Sequence, residues 1–363
     1  MKKLLVVVGT RPNFVKVTRF KEVARARGDF AVELVHTGQH TDARMSTVFF
    51  EQFGMIPDHM LTIPDGSPAA RLGHLLVALE PVMRSSAPDA VVVVGDVDST
   101  LAAALAADRL HIPLVHVESG LRNGDMTMPE EVNRILTDRI ADHCFTTEPS
   151  GQENLLREGK SRERIHPVGN TMIDTLVAYE DRIAASPVLS ELKLEEQGHV
   201  LVTIHRPVNV DTKEALERMI DLVALVAKQN KVVFPVHPRT MSNLESFALD
   251  GRLRDLAGLI IAPPADYFAF QRLITTSALV ITDSGGVQEE TTYRGIPCLT
   301  LRANTERPVT ILEGTNELIT FDIAAVADAI ARIRSGAFKR GRVPALWDGH
   351  ATERVFDILS RVL

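Results

Sequence analysis

KKLLVVVGTRPN, residues 2–13, places five consecutive apolar residues, Leu4 to Val8, directly before a glycine. A run that is apolar at every position has no solvent face, which suits a parallel-sheet strand covered by helices on both sides. It is too short for the apolar core of a secretion signal, and far shorter than the about 20 residues of a membrane span. Pro12 fits the first turn of a helix, and Gly9 permits a close backbone approach. Strand, glycine turn and helix together form the opening of a βα unit.

The same grammar repeats along the chain. Apolar runs at 32–37, 90–95, 114–117, 143–146 and 164–168 alternate with helical patterns at 14–26, 69–85, 100–109 and 131–140. Such alternation implies βαβ units and a parallel sheet. A first α/β domain is therefore expected over residues 1–170. The polar stretch SPVLSELKLEEQG (186–198) reads as the end of a connecting helix and a linker. Strands then resume at 200–204, 232–236, 259–262, 279–282 and 298–301, with helices at 213–228, 268–276 and 287–294 between them. They make a second α/β domain within residues 171–349, followed by a terminal helix over about 350–363. Two doubly wound, Rossmann-like domains facing a cleft are the expected architecture, and 363 residues suit two domains at about 150 residues each.

Composition narrows the function. Hydrophobic residues form 45% of the chain and charged residues 24%, enough apolar material for two cores. Lys and Arg total 40 against 47 for Asp and Glu, a diffuse net charge of −7 that offers no basic footprint for nucleic acid or anionic lipid. With only Cys144 and Cys298, neither a disulfide framework nor a cysteine-based metal site is expected, and a cytoplasmic home fits.

Ligands of open parallel sheets sit beyond the carboxyl ends of strands, where helix N-termini present backbone N–H groups. After the first strand come Arg11 and, one turn later, Lys16. Both suit an anion at that helix start, and both read equally well as solvated cations beside a Gly-Pro turn. Gly95-Asp96 ends another strand; Asp98 and Ser99 suit helix capping, which leaves Asp96 unexplained. The next strand end carries Glu118. Pro129-Glu130-Glu131 opens a helix, where one glutamate can simply complement the helix dipole. Three strand-end loops thus bring carboxylates to one edge, the usual equipment for acid–base work.

In the second half, His205-Arg206 and His237-Pro238-Arg239 follow successive strands. A lone strand-end histidine is commonly structural, but two with nearby arginines point to anion binding. Thr282-Asp283-Ser284-Gly285-Gly286 joins a strand to a helix through residues whose bare N–H groups can cradle phosphate. Glu290, one turn on, either takes a ribose hydroxyl pair or faces solvent. Arg307 adds a cation in a later loop. No glycines are spaced G-x-G, so the dinucleotide fingerprint is absent, and Gly336–Gly341 has P-loop spacing without its lysine or a preceding strand. An anionic, nucleotide-linked ligand in an interdomain cleft accounts for these loops, with Asp96, Glu118 and Glu130 facing its reacting part.

GTRPNFVK (9–16), HTGQH (36–40), GD (95–96), HVESGLR (116–122), PEEVNR (129–134), VGN (168–170), PVHPR (235–239), TDSGGVQEE (282–290), TERP (305–308) and DGHATER (348–354) occur in one order, and by them the chain resembles the UDP-N-acetylglucosamine 2-epimerases over nearly its whole length. The resemblance implies a glycosyltransferase-B-like fold whose last helix crosses back to the first domain. It also implies a homodimer and no metal or redox cofactor. The implied reaction is non-hydrolysing inversion at C2 of UDP-GlcNAc to UDP-ManNAc, an isomerase activity that eliminates UDP to a 2-acetamidoglucal and adds it back. By the resemblance, Asp96, Glu118 and Glu130 are the acid–base carboxylates, their faces unassigned. His205 and Arg11 stabilise the departing diphosphate with Lys16 near, and PVHPR places His237 in the substrate set. Ser284, Gly285 and Gly286 bind phosphate, Glu290 the ribose and Arg307 the diphosphate. Phe270 lies where the family has an aromatic beside the uracil, and is equally read as a core residue.

Two stretches depart from the family pattern. His205-Arg206-Pro207-Val208-Asn209 stands where many bacterial members read H-R-R-E-N. Thr41-Asp42-Ala43-Arg44 lacks the glutamine pattern of members activated by a second UDP-GlcNAc. A related UDP-acetamido sugar, a hydrolysing outcome releasing ManNAc and UDP, a glycosyltransferase of the same fold and a silent nucleotide-sugar sensor are the alternatives. The carboxylates favour elimination over transfer, and intact Asp96, Glu118, Glu130 and His205 count against the sensor.

Overall fold

The computed structural model describes residues 1–38, 50, 52–196 and 198–363. Gln39 and His40 of HTGQH, and residues 41–44 after it, lie outside the described residues. The chain forms two compact units: Met1–Ala178 with Ala345–Leu363, and Tyr179–Pro344.

In the first unit seven parallel strands run β3-β2-β1-β4-β5-β6-β7. They are β1 Lys2–Val8, β2 Phe30–His36, β3 His59–Met60, β4 Ala90–Val94, β5 Leu114–Val117, β6 His143–Thr146 and β7 Ile165–Pro167. Strand order reverses between β1 and β4, which pair in register from Leu4 with Ala90 to Val7 with Val93. Leu4 to Val8 and Ala90 to Val94 are all buried, as strands with helices on both faces require. Leu5, Val7, Val91 and Val93 share one core with Leu75, Leu79 and Met83 of the Pro68–Ser86 helix and an alanine row of the Asp98–Arg109 helix. Alanine there lets the helix lie close to the sheet.

The helix expected over 14–26 is two, Arg11–Val17 and Phe20–Arg27. The carbonyl of Val15, which a continuous helix would use, accepts from the hydroxyls of Thr18 and Thr175 instead. Competition of this kind from threonine weakens and bends helices. Neither the two-residue edge strand β3 nor the later strand Asn316–Leu318 is in the sequence reading.

The domain boundary expected at 170 moves to 178, because the Thr171–Ala178 helix buries Met172, Ile173 and Leu176 in the first unit. The chain rejoins that unit at 345 rather than near 350. Trp347, fully buried, donates its indole N–H to the Thr147 carbonyl at 3.0 Å. Gly169 lies where a Cβ would meet the Leu346 carbonyl oxygen at 2.0 Å, so the VGN stretch is a seat for the returning chain. The final helix, Ala351–Val362, packs Phe356 edge-on against Phe20 and Phe30. Asp174 caps it, accepting from the backbone N–H groups of Ala351 (3.0 Å) and Thr352 (2.5 Å).

The second unit holds six parallel strands in the order β10-β9-β8-β11-β12-β13. They are β8 His199–Thr203, β9 Lys231–Pro235, β10 Leu259–Ala262, β11 Ser277–Thr282, β12 Cys298–Thr300 and β13 Asn316–Leu318. Here the order reverses between β8 and β11. One face carries a core of Val200, Val202, Phe234 and Ile281 with the Lys213–Ala227 and Ile323–Arg334 helices. On the other face, Val188 is buried with Leu201, Val233 and Val280, and Leu189, Leu192 and Leu194 pack beside it. The stretch read as a linker at 186–198 is therefore part of this unit's core. Its leucines outweigh its charges.

Among the described residues no helix is long and apolar enough to cross a membrane. Cys144 and Cys298 are unpaired and buried, and burial pushes their thiols up to about 12 and about 11.

Candidate active site

Each sheet has one point where strand order reverses, and the crevice outside the strand carboxyl ends there is where doubly wound folds bind ligands. Arg11, Lys16 and Asp96 follow β1 and β4 at one such point, and His205, Ser284, Gly285, Gly286 and Glu290 follow β8 and β11 at the other. Glu118, Glu130, His237, Phe270 and Arg307 follow the carboxyl ends of other strands of the two sheets.

In the first unit Asn13 ties the two central strands together. Its carbonyl oxygen accepts from the N–H groups of Gly9 (3.3 Å) and Thr10 (3.1 Å), and its amide donates to the Val94 carbonyl (3.0 Å). Arg11, the first residue of its helix, is exposed. Lys16 is 6% exposed and so is not a solvated cation. Its ammonium sits 2.6 Å from Glu118 Oε1, and Glu118 is itself 4% exposed. A Cβ on Gly95 would stand 3.1 Å from Asn13 Nδ2, 3.4 Å from Lys16 Nζ and 3.9 Å from Glu118 Oε1, so three loops converge beside Asp96.

Asp96 is held by Arg134, whose Nε and Nη2 reach Oδ2 at 3.0 and 2.6 Å. The third guanidinium nitrogen, Nη1, meets Glu131 at 2.5 Å. Glu131 is buried and also accepts from the backbone of Asn123 and Gly124, so it is the glutamate that builds the loop. Glu130 beside it is half-buried, and among the described residues no hydrogen bond holds its carboxylate. The cap expected at Asp98 or Ser99 is not formed: Val97 occupies the N-cap, and Asp98 pairs with Arg71 at 3.5 Å.

Behind these loops lies His116, which has no solvent exposure. Nδ1 faces Asp138 Oδ1 at 2.6 Å and Nε2 faces the Gly95 carbonyl at 2.8 Å. Burial pushes the Asp138 carboxyl up, but His116 and Arg122 outweigh it and hold the group below the usual carboxylate range.

In the second unit Asp283 is fully buried. It accepts from the backbone N–H groups of His205 (3.0 Å) and Arg206 (2.8 Å) and from the Asn209 amide (2.9 Å), and it faces His205 Nδ1 at 3.1 Å. Burial raises its carboxyl, yet His205, Asn209 and the backbone donors bring it below the ordinary value. With Nδ1 turned to Asp283, Nε2 of the part-exposed His205 ring is the nitrogen left for a ligand. The His237 ring lies 5.5 Å away, centroid to centroid. His237 caps the Pro238–Ser246 helix, and Arg239 is committed to Asp211.

Ser284 is the N-cap of the Gly285–Arg294 helix and makes no side-chain cap bond there. That leaves helix N–H groups of the kind that take phosphate. A Cβ on Gly285 would lie 2.9 Å from Arg307 Nη1, which places the guanidinium beside the helix start. Arg307 is fixed by buried Glu289 at 2.8 Å and by Glu306. Glu290 is 7% exposed, so it does not face solvent. Phe270 is half-buried and packs beside Leu273 and Ile274 of the core.

Sequence reasoning missed Asn13, Arg134, His116, Asp138 and Glu289. All but Asp138 lie in stretches quoted for the resemblance, and each has at least one partner distant in the chain.

The family model described as UDP-N-acetylglucosamine 2-epimerase matches residues 22–360. The UDP-N-acetylglucosamine 2-epimerase of Methanocaldococcus jannaschii is 34% identical over 365 residues, 99% of each chain. The UDP-2,3-diacetamido-2,3-dideoxy-D-glucuronate 2-epimerase of Pseudomonas aeruginosa is 36% identical over 367 residues, 99% of this chain and 100% of that one. The crystal structure of the M. jannaschii UDP-GlcNAc 2-epimerase in complex with UDP-GlcNAc and UDP superposes with a TM-score of 0.90 over 99% of both chains, at 34% identity. Built on the same two parallel-sheet units and matched along almost its full length, this chain belongs to the UDP-N-acetylglucosamine 2-epimerase family.

Proposed function

We propose that the protein converts UDP-GlcNAc to UDP-ManNAc by eliminating UDP and adding it back. The C2 proton of the sugar is not adjacent to a carbonyl and is barely acidic in the ground state. Breaking the C1–O bond sends its electron pair out with UDP and gives C1 oxocarbenium character, which acidifies C2–H. A carboxylate takes that proton, C1=C2 forms, and the 2-acetamidoglucal results. In the return step the UDP oxygen adds to C1 while C2 receives a proton on the opposite face.

The observation that carries this reading is the carboxylate cluster of the first unit. Asp96 is gripped by Arg134, and Glu118 is paired with Lys16 beside Gly95. Glu130 is the third carboxylate of the set, and the three share the proton transfers at C2. Lys16 belongs with this group rather than with the diphosphate, since its ammonium is committed to Glu118. Leaving-group stabilisation falls to His205, Arg11, Arg307 and the helix start at Ser284, Gly285 and Gly286, with His237 beside His205. Preorganised donors of this kind supply much of an enzyme's rate enhancement. Glu290 takes the ribose and Phe270 lies beside the uracil. A homodimer acting in the cytoplasm goes with the family; the two unpaired thiols agree with a reducing compartment.

One further substrate is worth carrying. The chain matches the P. aeruginosa UDP-2,3-diacetamido-2,3-dideoxy-D-glucuronate 2-epimerase as well as it matches the UDP-GlcNAc enzymes. Incubation in D2O, followed by NMR with each sugar nucleotide, separates the cases. UDP-ManNAc carrying deuterium at C2 is the expected product. Free ManNAc with UDP means the hydrolysing reaction. Exchange with the diacetamido sugar alone moves the substrate, and exchange with neither sinks the proposal.

A further inference from the structure

Glu118 has φ +67°, in the left-handed region that a side chain rarely adopts. A conformation of this sort costs on the order of 1–3 kcal/mol and persists only when the surroundings over-determine it. Beside the Lys16 ion pair, one buried pair supplies much of that surrounding. His116, two residues before Glu118, directs Nδ1 at Asp138 Oδ1 (2.6 Å). Gly120, two residues after it, donates its N–H to Asp138 Oδ2 (2.9 Å). Asp138 therefore closes the turn that carries Glu118 from both sides. Arg122 braces the same oxygen at 2.8 Å, so the carboxylate is matched on every side.

The pair also reaches the neighbouring turn. His116 Nε2 faces the carbonyl of Gly95, the residue immediately before Asp96, at 2.8 Å. Gly95 is itself left-handed, at φ +69°, a conformation that glycine adopts without strain. One imidazole thus links the two turns that present Asp96 and Glu118, with its ring wholly buried and both nitrogens engaged by acceptors.

We infer that His116 and Asp138 form a positioning pair for the acid–base carboxylates, setting the backbone of Asp96 and Glu118 without touching the substrate. The inference rests on the epimerase assignment of those carboxylates. Proton transfer requires heavy-atom approach within hydrogen-bond reach, and misplacement by about 1 Å can cost about a hundredfold in rate. His116→Gln can keep a donor where Nε2 stands, and so keep the Gly95 contact. His116→Asn keeps only the contact to Asp138.

The test measures kcat, KM, C2 deuterium exchange from UDP-GlcNAc in D2O, UDP affinity by calorimetry and the unfolding midpoint, for wild type, His116→Asn, His116→Gln and Asp138→Asn. Expected are kcat and exchange about a hundredfold lower in His116→Asn and Asp138→Asn, with UDP affinity within about twofold of wild type, and His116→Gln within about tenfold in rate. Near-wild-type exchange in folded His116→Asn overturns the inference while leaving the epimerase assignment intact. So do losses that are equal in the Asn and Gln variants and follow the unfolding midpoint. If His116→Asn does not fold, Asp138→Asn decides by the same criteria. No exchange by the wild type removes the epimerase assignment itself, and this inference with it.

Discussion

Lys16 and Glu118 stand 102 residues apart in the chain and form an ion pair at 2.6 Å, with side chains only 7% and 4% exposed. Removing one partner of such a pair strands a charge away from water, at a cost of about 3–5 kcal/mol. Lys16→Met is therefore expected to lower the unfolding free energy, read from denaturant titration, by that much. Lys16→Met combined with Glu118→Gln should recover part of the loss, because no lone charge remains. A double variant whose loss equals the sum of the losses of Lys16→Met alone and Glu118→Gln alone would show that the pair is not coupled.

Arg134 gives a second expectation. It holds Asp96 through two nitrogens and Glu131 through the third, a forked geometry that a lysine ammonium cannot copy. Arg134→Lys should reduce kcat by about a hundredfold, the scale of a misplaced catalytic group, while leaving UDP affinity near wild type. The check is steady-state kinetics beside UDP titration. A turnover within threefold or so of wild type, far below that scale, would remove Arg134 from the positioning of Asp96.

Asp283 orients His205 and is held below the usual carboxylate range, against its own burial. A carboxylate depressed in the folded state adds stability above its unfolded value of about 3.9, and that stability is lost as pH falls through the lower folded value. Asp283→Asn should flatten the acid limb of the unfolding midpoint. It should also lower turnover, since His205 loses the partner that sets its ring. An unchanged acid limb in that variant would mean that Asp283 is not the group responsible.

His166 titrates in the other direction of consequence. Burial, with His143 next to it, lowers its imidazole to about 4, and the two rings approach at 3.1 Å between Nδ1 of His143 and Nε2 of His166. Between the unfolded value of about 6.5 and that folded value, only the unfolded chain takes up the proton. The protein should therefore lose stability as pH falls through this window. His166→Phe is expected to lose less, read as the change in urea midpoint between the upper and lower ends of the window. Identical changes in wild type and variant would dispose of the idea.

The sheet strands were legible because their physics is local: Leu4 to Val8 and Ala90 to Val94 declare two covered faces by composition alone. The break after Val17 was not, because one of the two threonines on the Val15 carbonyl, Thr175, reaches it from 160 residues away. The two strands β3 and β13 are too short to show a period. The same division holds at the candidate site. Strand-end position brought Asp96, Glu118, His205 and Ser284 to notice, since a parallel sheet puts ligands at one edge. The groups that hold them, Arg134 for Asp96 and Asp138 for His116, lie 38 and 22 residues from their partners, and spacing alone does not reveal a pairing made across loops. Glu130 and Glu131 show the limit most plainly. They are chemically identical neighbours, and only the folded loop at Asn123 and Gly124 separates the structural one from the other.

The cap that Asp174 places on the Ala351–Val362 helix also bears on how the protein is made. During synthesis the first unit emerges early, but Phe20 and Phe30 wait for Phe356, which leaves the ribosome only after the entire second unit. Until then an aromatic face of the first unit stays uncovered, the type of surface that draws chaperones or seeds aggregation. The second unit, lying wholly between the two pieces of the first, has all its own strands available sooner. Completion of the first unit thus depends on residues made after the whole second unit, and a product stalled before them would expose that face for as long as it persisted.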